Sequence, residues 1–290
     1  MDNLRGAIFM VLAMLGFAIE DMLIKLMATV LPVGQIVGML GLGSAVVVGL
    51  VLSIQGQPLL SRSMLTPVIA IRSLGELIGT LGFVTAIALI PLSTASAILQ
   101  ATPLFVTLGA ALFLGEAVGW RRWMAILVGF IGVLMIIRPG LEGFSWLSLF
   151  ALQGVVGLGL RDLATRRVPP QTSTLQLSFL AFLVLIPAAA ILVLINGTDL
   201  ASPPAIHWLY FTIALLVGIV AYYGIIAAMR IGEVSFVTPF RYSRILFALI
   251  IGTVIFGERP DRLTLLGAAI VVASGLYTLW RERNVGANAR

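Results

Sequence analysis

The chain reads as long apolar runs separated by short polar breaks. Each run has about 20 residues, enough to cross a bilayer as a helix. Ten spans are predicted. The first five run from about Leu4 to Thr29, Val33 to Ile54, Pro67 to Ile90, Ser93 to Leu114 and Trp123 to Ile137. The second five run from Phe144 to Arg166, Ser173 to Ile195, His207 to Met229, Val234 to Phe256 and Leu263 to Trp280. The runs do not alternate residue by residue, which excludes a membrane β-barrel. The breaks at Pro91-Leu92 and near Gly232-Glu233 are so short that their flanking helices must be antiparallel neighbours.

The pattern is written twice. At an offset of 142, Ala86, Ser93, Phe105 and Gly115-Glu116 return as Ala228, Ser235, Phe247 and Gly257-Glu258. At 141, Gly16, Asp21, Lys25, Gln35 and Gly56 return as Gly157, Asp162, Arg166, Gln176 and Gly197. At 143, Gly132 and Arg138 return as Gly275 and Arg281. A fixed-offset echo marks an internal repeat, and two units are expected at residues 1–140 and 141–290. Five spans per unit is odd, so the second copy enters the membrane upside down. Inverted repeats of this kind are a transporter design, with the binding site between the copies near the midplane.

Composition and charge sharpen this. Apolar residues make up 60% and charged residues 10% of the 290, against roughly 25% charged in soluble domains. The net charge of +6 does not point to nucleic acid, because the basic residues sit at span ends. With the N-terminus in the cytoplasm, Arg5, Arg62, Arg121, Arg122, Arg166, Arg167, Arg230, Arg281, Arg283 and Arg290 lie at or near the cytoplasmic face. Of the arginines at span ends and in loops, Arg138, Arg259 and Arg262 fall outside. Both termini are therefore expected in the cytoplasm, in an inner-membrane protein. The absence of cysteine excludes disulfides and thiolate chemistry. The first apolar stretch runs into Glu20-Asp21 without a small-residue cleavage site, so it is not read as a signal peptide.

The segment ALIPLSTASAILQATPLFVTLGAALFLGE at 88–116 and its echo ending VIFGE at 254–258 resemble the EamA-type branch of the drug/metabolite transporter superfamily. GFAIEDMLIK at 16–25 and GLGLRDLATR at 157–166 are similar to the first helix of each repeat in that family. The resemblance covers nearly the whole chain. It implies ten helices, a central cavity and secondary transport. The family's substrates include amino acids, nucleotide sugars, vitamins such as riboflavin, and drugs. Arg72, Glu76, Arg241 and Arg244 stand where many members are apolar.

Charges inside a bilayer segment cost roughly 2.5–3.5 kcal/mol each on insertion scales, which makes them functional candidates. Arg72 and Glu76 share one face of the third span, and Arg241 and Arg244 one face of the ninth. At about 1.5 Å rise per residue, Glu76 and Arg244 reach similar mid-depth. In one reading the four pair with each other and fix how the helices meet. In the other they line the cavity and hold a polar or anionic substrate, with Glu76 holding Arg244 when the site is empty. Substrate contacts are further expected from Gln100, Tyr222 and Tyr242, with Tyr223, Phe83, Phe236 and Phe240 as aromatic candidates. Gln100 and Tyr242 are repeat equivalents.

Glu20, Asp21 and Asp162 are candidate coupling or gate residues; Lys25 shares the face of Asp21 and could neutralise it. Arg161 sits beside Asp162 toward the inner face. Pro103 and Pro239 interrupt the fourth and ninth spans and are candidate hinges. Gly75, Gly79 and Gly82 form a stripe for close helix packing. His207 stands alone at an interface, and no metal set or cofactor is expected. HExxH, Walker-type and GxSxG motifs are absent, so the chain is not expected to be an enzyme. The expected partners are a small-molecule substrate and the lipid bilayer, with a homodimer left open. The rival reading is a lipid-head-group flippase or membrane enzyme.

Overall fold

The computed structural model describes residues 2–61, 64–113, 115, 119–141, 144–169, 171–197, 199–231 and 234–288. Arg62, Glu116, the Gly232-Glu233 break and Arg290 lie outside the described residues, as do the side chains of Arg230 and Arg283. Among the described residues twelve α-helices are formed: α1 (Asp2–Met27), α2 (Val33–Ile54), α3 (Pro67–Leu89), α4 (Leu92–Leu99), α5 (Thr102–Phe113), α6 (Trp120–Ile137), α7 (Ser148–Thr165), α8 (Thr174–Asn196), α9 (Ala205–Ile231), α10 (Val234–Val237), α11 (Ser243–Ile255) and α12 (Arg262–Asn288). A 3-10 turn at Thr238–Tyr242 joins α10 to α11. The fourth span is α4 plus α5, and the ninth is α10, the turn and α11. The fold is an all-α bundle of ten membrane-spanning segments, built as two inverted five-helix repeats.

Among the described residues, nine of these segments are long and apolar enough to cross a bilayer by length and composition. The exception, α7, carries Arg161 and Asp162 within only 18 residues. It begins later than the sequence suggests, because Phe144–Leu147 fold as turns and not as helix.

The two repeats interlock. α1 lies along α9, α3 along α7, α2 along α8 and α6 along α12. Each pairing joins one half to the other, and α1–α9 is the symmetry image of α7–α3. Glycines make the closest approaches possible. A Cβ on Gly157 would stand 2.2 Å from the backbone N of Gly79, and one on Gly75 would stand 2.6 Å from that of Arg161. The stripe at Gly75, Gly79 and Gly82 thus meets α7 backbone to backbone. The image contact sets Gly16 of α1 against Ala221 of α9.

Both broken spans meet at the centre. Gln100 Nε2 donates to the carbonyl oxygen of Tyr242 at 3.4 Å. These two residues are repeat equivalents, and a residue that touches its own equivalent marks the pseudo-twofold axis. Pro103 lies in the first turn of α5 and Pro239 in the 3-10 turn. Proline has no N–H for the carbonyl four residues back; the Thr102 hydroxyl donates to that Leu99 oxygen instead, at 2.7 Å.

Candidate functional site

The buried and partly buried charges of the spans sort into three groups. The largest lies between α3, α7, α9 and the 3-10 turn. Arg161 Nη1 reaches Glu76 Oε1 at 3.1 Å, and Arg72 Nη2 lies 3.9 Å from Glu76 Oε2. Arg72 Nη2 also donates to the Tyr222 hydroxyl at 2.7 Å, and Tyr222 in turn donates to Glu76 at 3.4 Å. Arg161 grips Asp162 Oδ1 through Nε at 2.9 Å and Nη2 at 2.8 Å. Arg241 holds the other oxygen of Asp162 at 3.3 Å. Arg72 Nε donates to Thr165 Oγ1 at 3.2 Å, while its Nη1 is buried without an acceptor. The glycine contacts of α3 with α7 make this group possible, since they bring Arg161 beside Glu76.

The second group lies further toward the α3 C-terminus. Asp21 Oδ2 accepts from Arg244 Nη2 at 2.6 Å and Nε at 3.2 Å. The Arg244 guanidinium sits between the rings of Phe17 and Phe83, 5.1 Å from each centroid, a favourable place for a desolvated cation. Glu20 lies against Gly218 of α9, where a Cβ would stand 2.5 Å from Oε1. No hydrogen bond or ion pair holds the Glu20 side chain among the described residues.

The third group closes the bundle at the end opposite the termini. Glu258 follows Gly257, whose left-handed φ of 63° turns the chain back toward α4. Its Oε1 accepts from Leu92 N at 2.6 Å; its Oε2 accepts from Ser93 N at 2.9 Å and Ser93 Oγ at 2.7 Å. These are free N–H groups of the first turn of α4, where negative charge is favoured. Lys25 stands 3.8 Å from Glu258 and donates to the carbonyls of Ile87 and Ile90. Outside the membrane-spanning segments, Asp261 pairs with Arg138. Its carboxyl is held below the usual aspartate range, first by the Thr264 backbone N–H and then by Arg138.

Several sequence expectations change. Glu76 is held by Arg161 and Arg72, not by Arg244, whose partner is Asp21. Arg241 is held by Asp162, so of the four candidate charges only Arg72 and Glu76 meet each other. Lys25 belongs with Glu258 and not with Asp21. Tyr222 enters the first group; Tyr223 and Phe240 are exposed. Tyr242 is buried beside Gly275, and its hydroxyl has no partner. Phe236 packs on Phe240, and His207 on Tyr210. Two apolar surface grooves of about 420 and 290 Å³ border α6. No residue of the three charge groups lines them, and they do not correspond to the expected central cavity.

Glu258 is not among the sequence candidates, and its recurrence in the Gly-Glu echo is the one signal that points to it. Its place beside Asp162 in the sequence does not mark Arg161 as a site residue; its contact with Glu76 does.

Comparison with known proteins agrees with this architecture. Residues 4–138 and 145–280 match the EamA-like transporter family. A riboflavin transporter from Rhizobium johnstonii is 30% identical over 71% of this chain and 67% of its own. An S-adenosylmethionine uptake transporter from Rickettsia bellii is 26% identical over 73% and 72%. A pseudopaline exporter from Pseudomonas aeruginosa is 26% identical over 93% and 94%. A solved crystal structure shares the fold, with a TM-score of 0.61 at 19% identity over 92% of this chain and 97% of that one. The chain belongs to the EamA-like transporter family of the drug/metabolite transporter superfamily, and is a multi-pass membrane transporter of a small metabolite rather than an enzyme.

Proposed function

We propose that the chain moves a small organic metabolite across the inner membrane by alternating access, with both termini in the cytoplasm and the repeat boundary near residue 140. The observation that carries this reading is the group of buried Arg72 and Glu76 with partly buried Arg161, Asp162, Tyr222 and Arg241 between the two halves. Every partner pair within it except Arg72–Glu76 and Arg161–Asp162 spans two helices, so relative movement of those helices must exchange its partners. Arg72 and Arg241 present donor forks suited to substrate carboxylate, phosphate or ring acceptors. Gln100 and Tyr242 border this site on the pseudo-twofold axis. Arg244, between two phenylalanines, offers a place for a ring. A metabolite of the riboflavin or S-adenosylmethionine kind, as the relatives' names indicate, has such acceptors and rings.

Closure at the far end rests on Lys25, Ser93 and Glu258. Glu20, Asp21 and Asp162 are the coupling or gate carboxylates, and Pro103 and Pro239 the hinges. The protein acts on its small-molecule substrate within the bilayer and needs no nucleic acid; the copy number is read by mass photometry in nanodiscs. The test is flux of labelled metabolites, including riboflavin and S-adenosylmethionine, in proteoliposomes. Saturable flux of at least one is expected. Absence of flux across the panel, with head-group lipid scrambling instead, would favour the flippase reading.

A further inference from the structure

Among the repeat-equivalent positions at which the two halves differ in charge, two meet each other across the helix pairs. Glu20 of α1 is the repeat equivalent of Arg161 of α7, and Glu76 of α3 is the equivalent of Gly218 of α9. On the α3–α7 side, Arg161 meets Glu76 at 3.1 Å. On the α1–α9 side, Glu20 meets Gly218, which has no side chain. One side is a completed ion pair; on the other, among the described residues, no hydrogen bond or ion pair holds the Glu20 carboxylate, because the nearby Arg244 is tied to Asp21. The orphan donor of the site, Arg72 Nη1, has the opposite character. Arg72 is tied to Tyr222, which lies four residues from Gly218 on α9. Four residues rise about 6 Å and return to the same helix face. Glu20 and Arg72 thus contact the same helix at residues one turn apart.

The sum of charges agrees. With every group ionised, three guanidinium groups face two carboxylates in the Arg72–Arg241 group, leaving one positive charge. Arg244 faces Glu20 and Asp21, leaving one negative charge. The two excesses cancel, and a net charge added to a buried site is costly. A ligand with equal and opposite ends satisfies both groups and adds no net charge.

We propose that the substrate is a zwitterion whose cationic group is taken by Glu20 and whose anionic group is taken by Arg72, the two roughly one to two helical turns, about 6–10 Å, apart. This rests on the transport reading for the location of the site. It replaces the purely anionic substrate that the arginines alone suggest. A proton on Glu20 is the competing occupant, and it predicts an anionic ligand.

The test is binding to purified protein in nanodiscs without any gradient, read as the dose-dependent rise of melting temperature. The probes are 6-aminohexanoate, hexanoate and hexylamine at millimolar concentration. Stabilisation by 6-aminohexanoate beyond both singly charged compounds is expected. In Glu20→Gln, 6-aminohexanoate should weaken by about tenfold or more, the loss of one charge-assisted hydrogen bond, and fall to the level of hexanoate. In Glu20→Asp part of the preference should return. Equal or greater stabilisation by hexanoate or by hexylamine overturns the proposal, as does no stabilisation by 6-aminohexanoate. If Glu20→Gln does not fold, the ranking in the wild-type protein decides. Flux failure in proteoliposomes would remove the transport reading alone, since this binding ranking needs no flux.

Discussion

Glu258→Gln should open the far end of the bundle. The wild-type carboxylate receives three hydrogen bonds from Leu92 and Ser93 and faces Lys25. Gln keeps one acceptor oxygen and places an NH2 group against the N–H donors of α4. One charge-assisted hydrogen bond contributes roughly 1.5–3 kcal/mol. Loss of that amount from the closed state shifts the closed-to-open ratio by about tenfold to a hundredfold or slightly more. The chain has no native cysteine, so Ala95→Cys gives a clean reporter. Ala95 is fully buried on α4 behind the Glu258 contact. The assay is its rate of reaction with a membrane-impermeant maleimide applied from the far side. That rate should rise by the same factor in Glu258→Gln, with little change in melting temperature. An unchanged rate would refute the view that Glu258 holds this end closed. An equal acceleration at Ala228→Cys, buried on α9 toward the other end, would show general loosening instead.

Further outcomes follow from the same contacts. Arg244→Gln leaves Asp21 buried without its partner, at a cost of about 3–5 kcal/mol, and adding Asp21→Asn should restore most of the melting temperature. Gly157→Leu should prevent stable folding, because its first side-chain carbon would stand 2.2 Å from the Gly79 backbone; a normal gel-filtration profile would contradict the close α3–α7 contact. Asp261 has a lowered folded pKa, so its contribution is full above the ordinary aspartate value, about pH 4, and is lost as pH falls through the lowered folded value. Asp261→Asn should therefore remove stability at neutral pH and flatten the acid end of the stability profile, as read by melting temperature against pH. Cysteines at Gln57 and Gly140 should label from opposite faces, Gln57 from the cytoplasm; labelling from one face would remove the proposed topology.

The spans and their duplication were legible because both are carried by local pattern: run length for the helices, fixed offset for the repeat. The glycine stripe of α3 was read correctly as a close-packing surface, but not its partner. That Gly75 and Gly79 face α7, and so deliver Arg161 to Glu76, depends on how the repeats interlock. Depth alone suggested Glu76 with Arg244. Depth says how far along a helix a residue lies, not which way its face turns, and Asp21 on α1 reaches Arg244 instead. Glu258 was illegible for another reason. It caps a helix some 165 residues away, and a loop carboxylate gives no sequence sign of such a distant partner beyond its own recurrence.

Counterflow in proteoliposomes comparing wild type with Arg241→Gln tests the location of the substrate between the halves most directly. Arg241 is a clean probe because Asp162 keeps Arg161 as a partner when Arg241 is lost. The best metabolite of the flux panel is exchanged against itself, and melting temperature reports folding in parallel. The expected result is a rise in apparent KM by about tenfold or more, the loss of one charge-assisted contact, with folding unchanged. An unaltered KM in folded Arg241→Gln would contradict the placement of substrate at this arginine group.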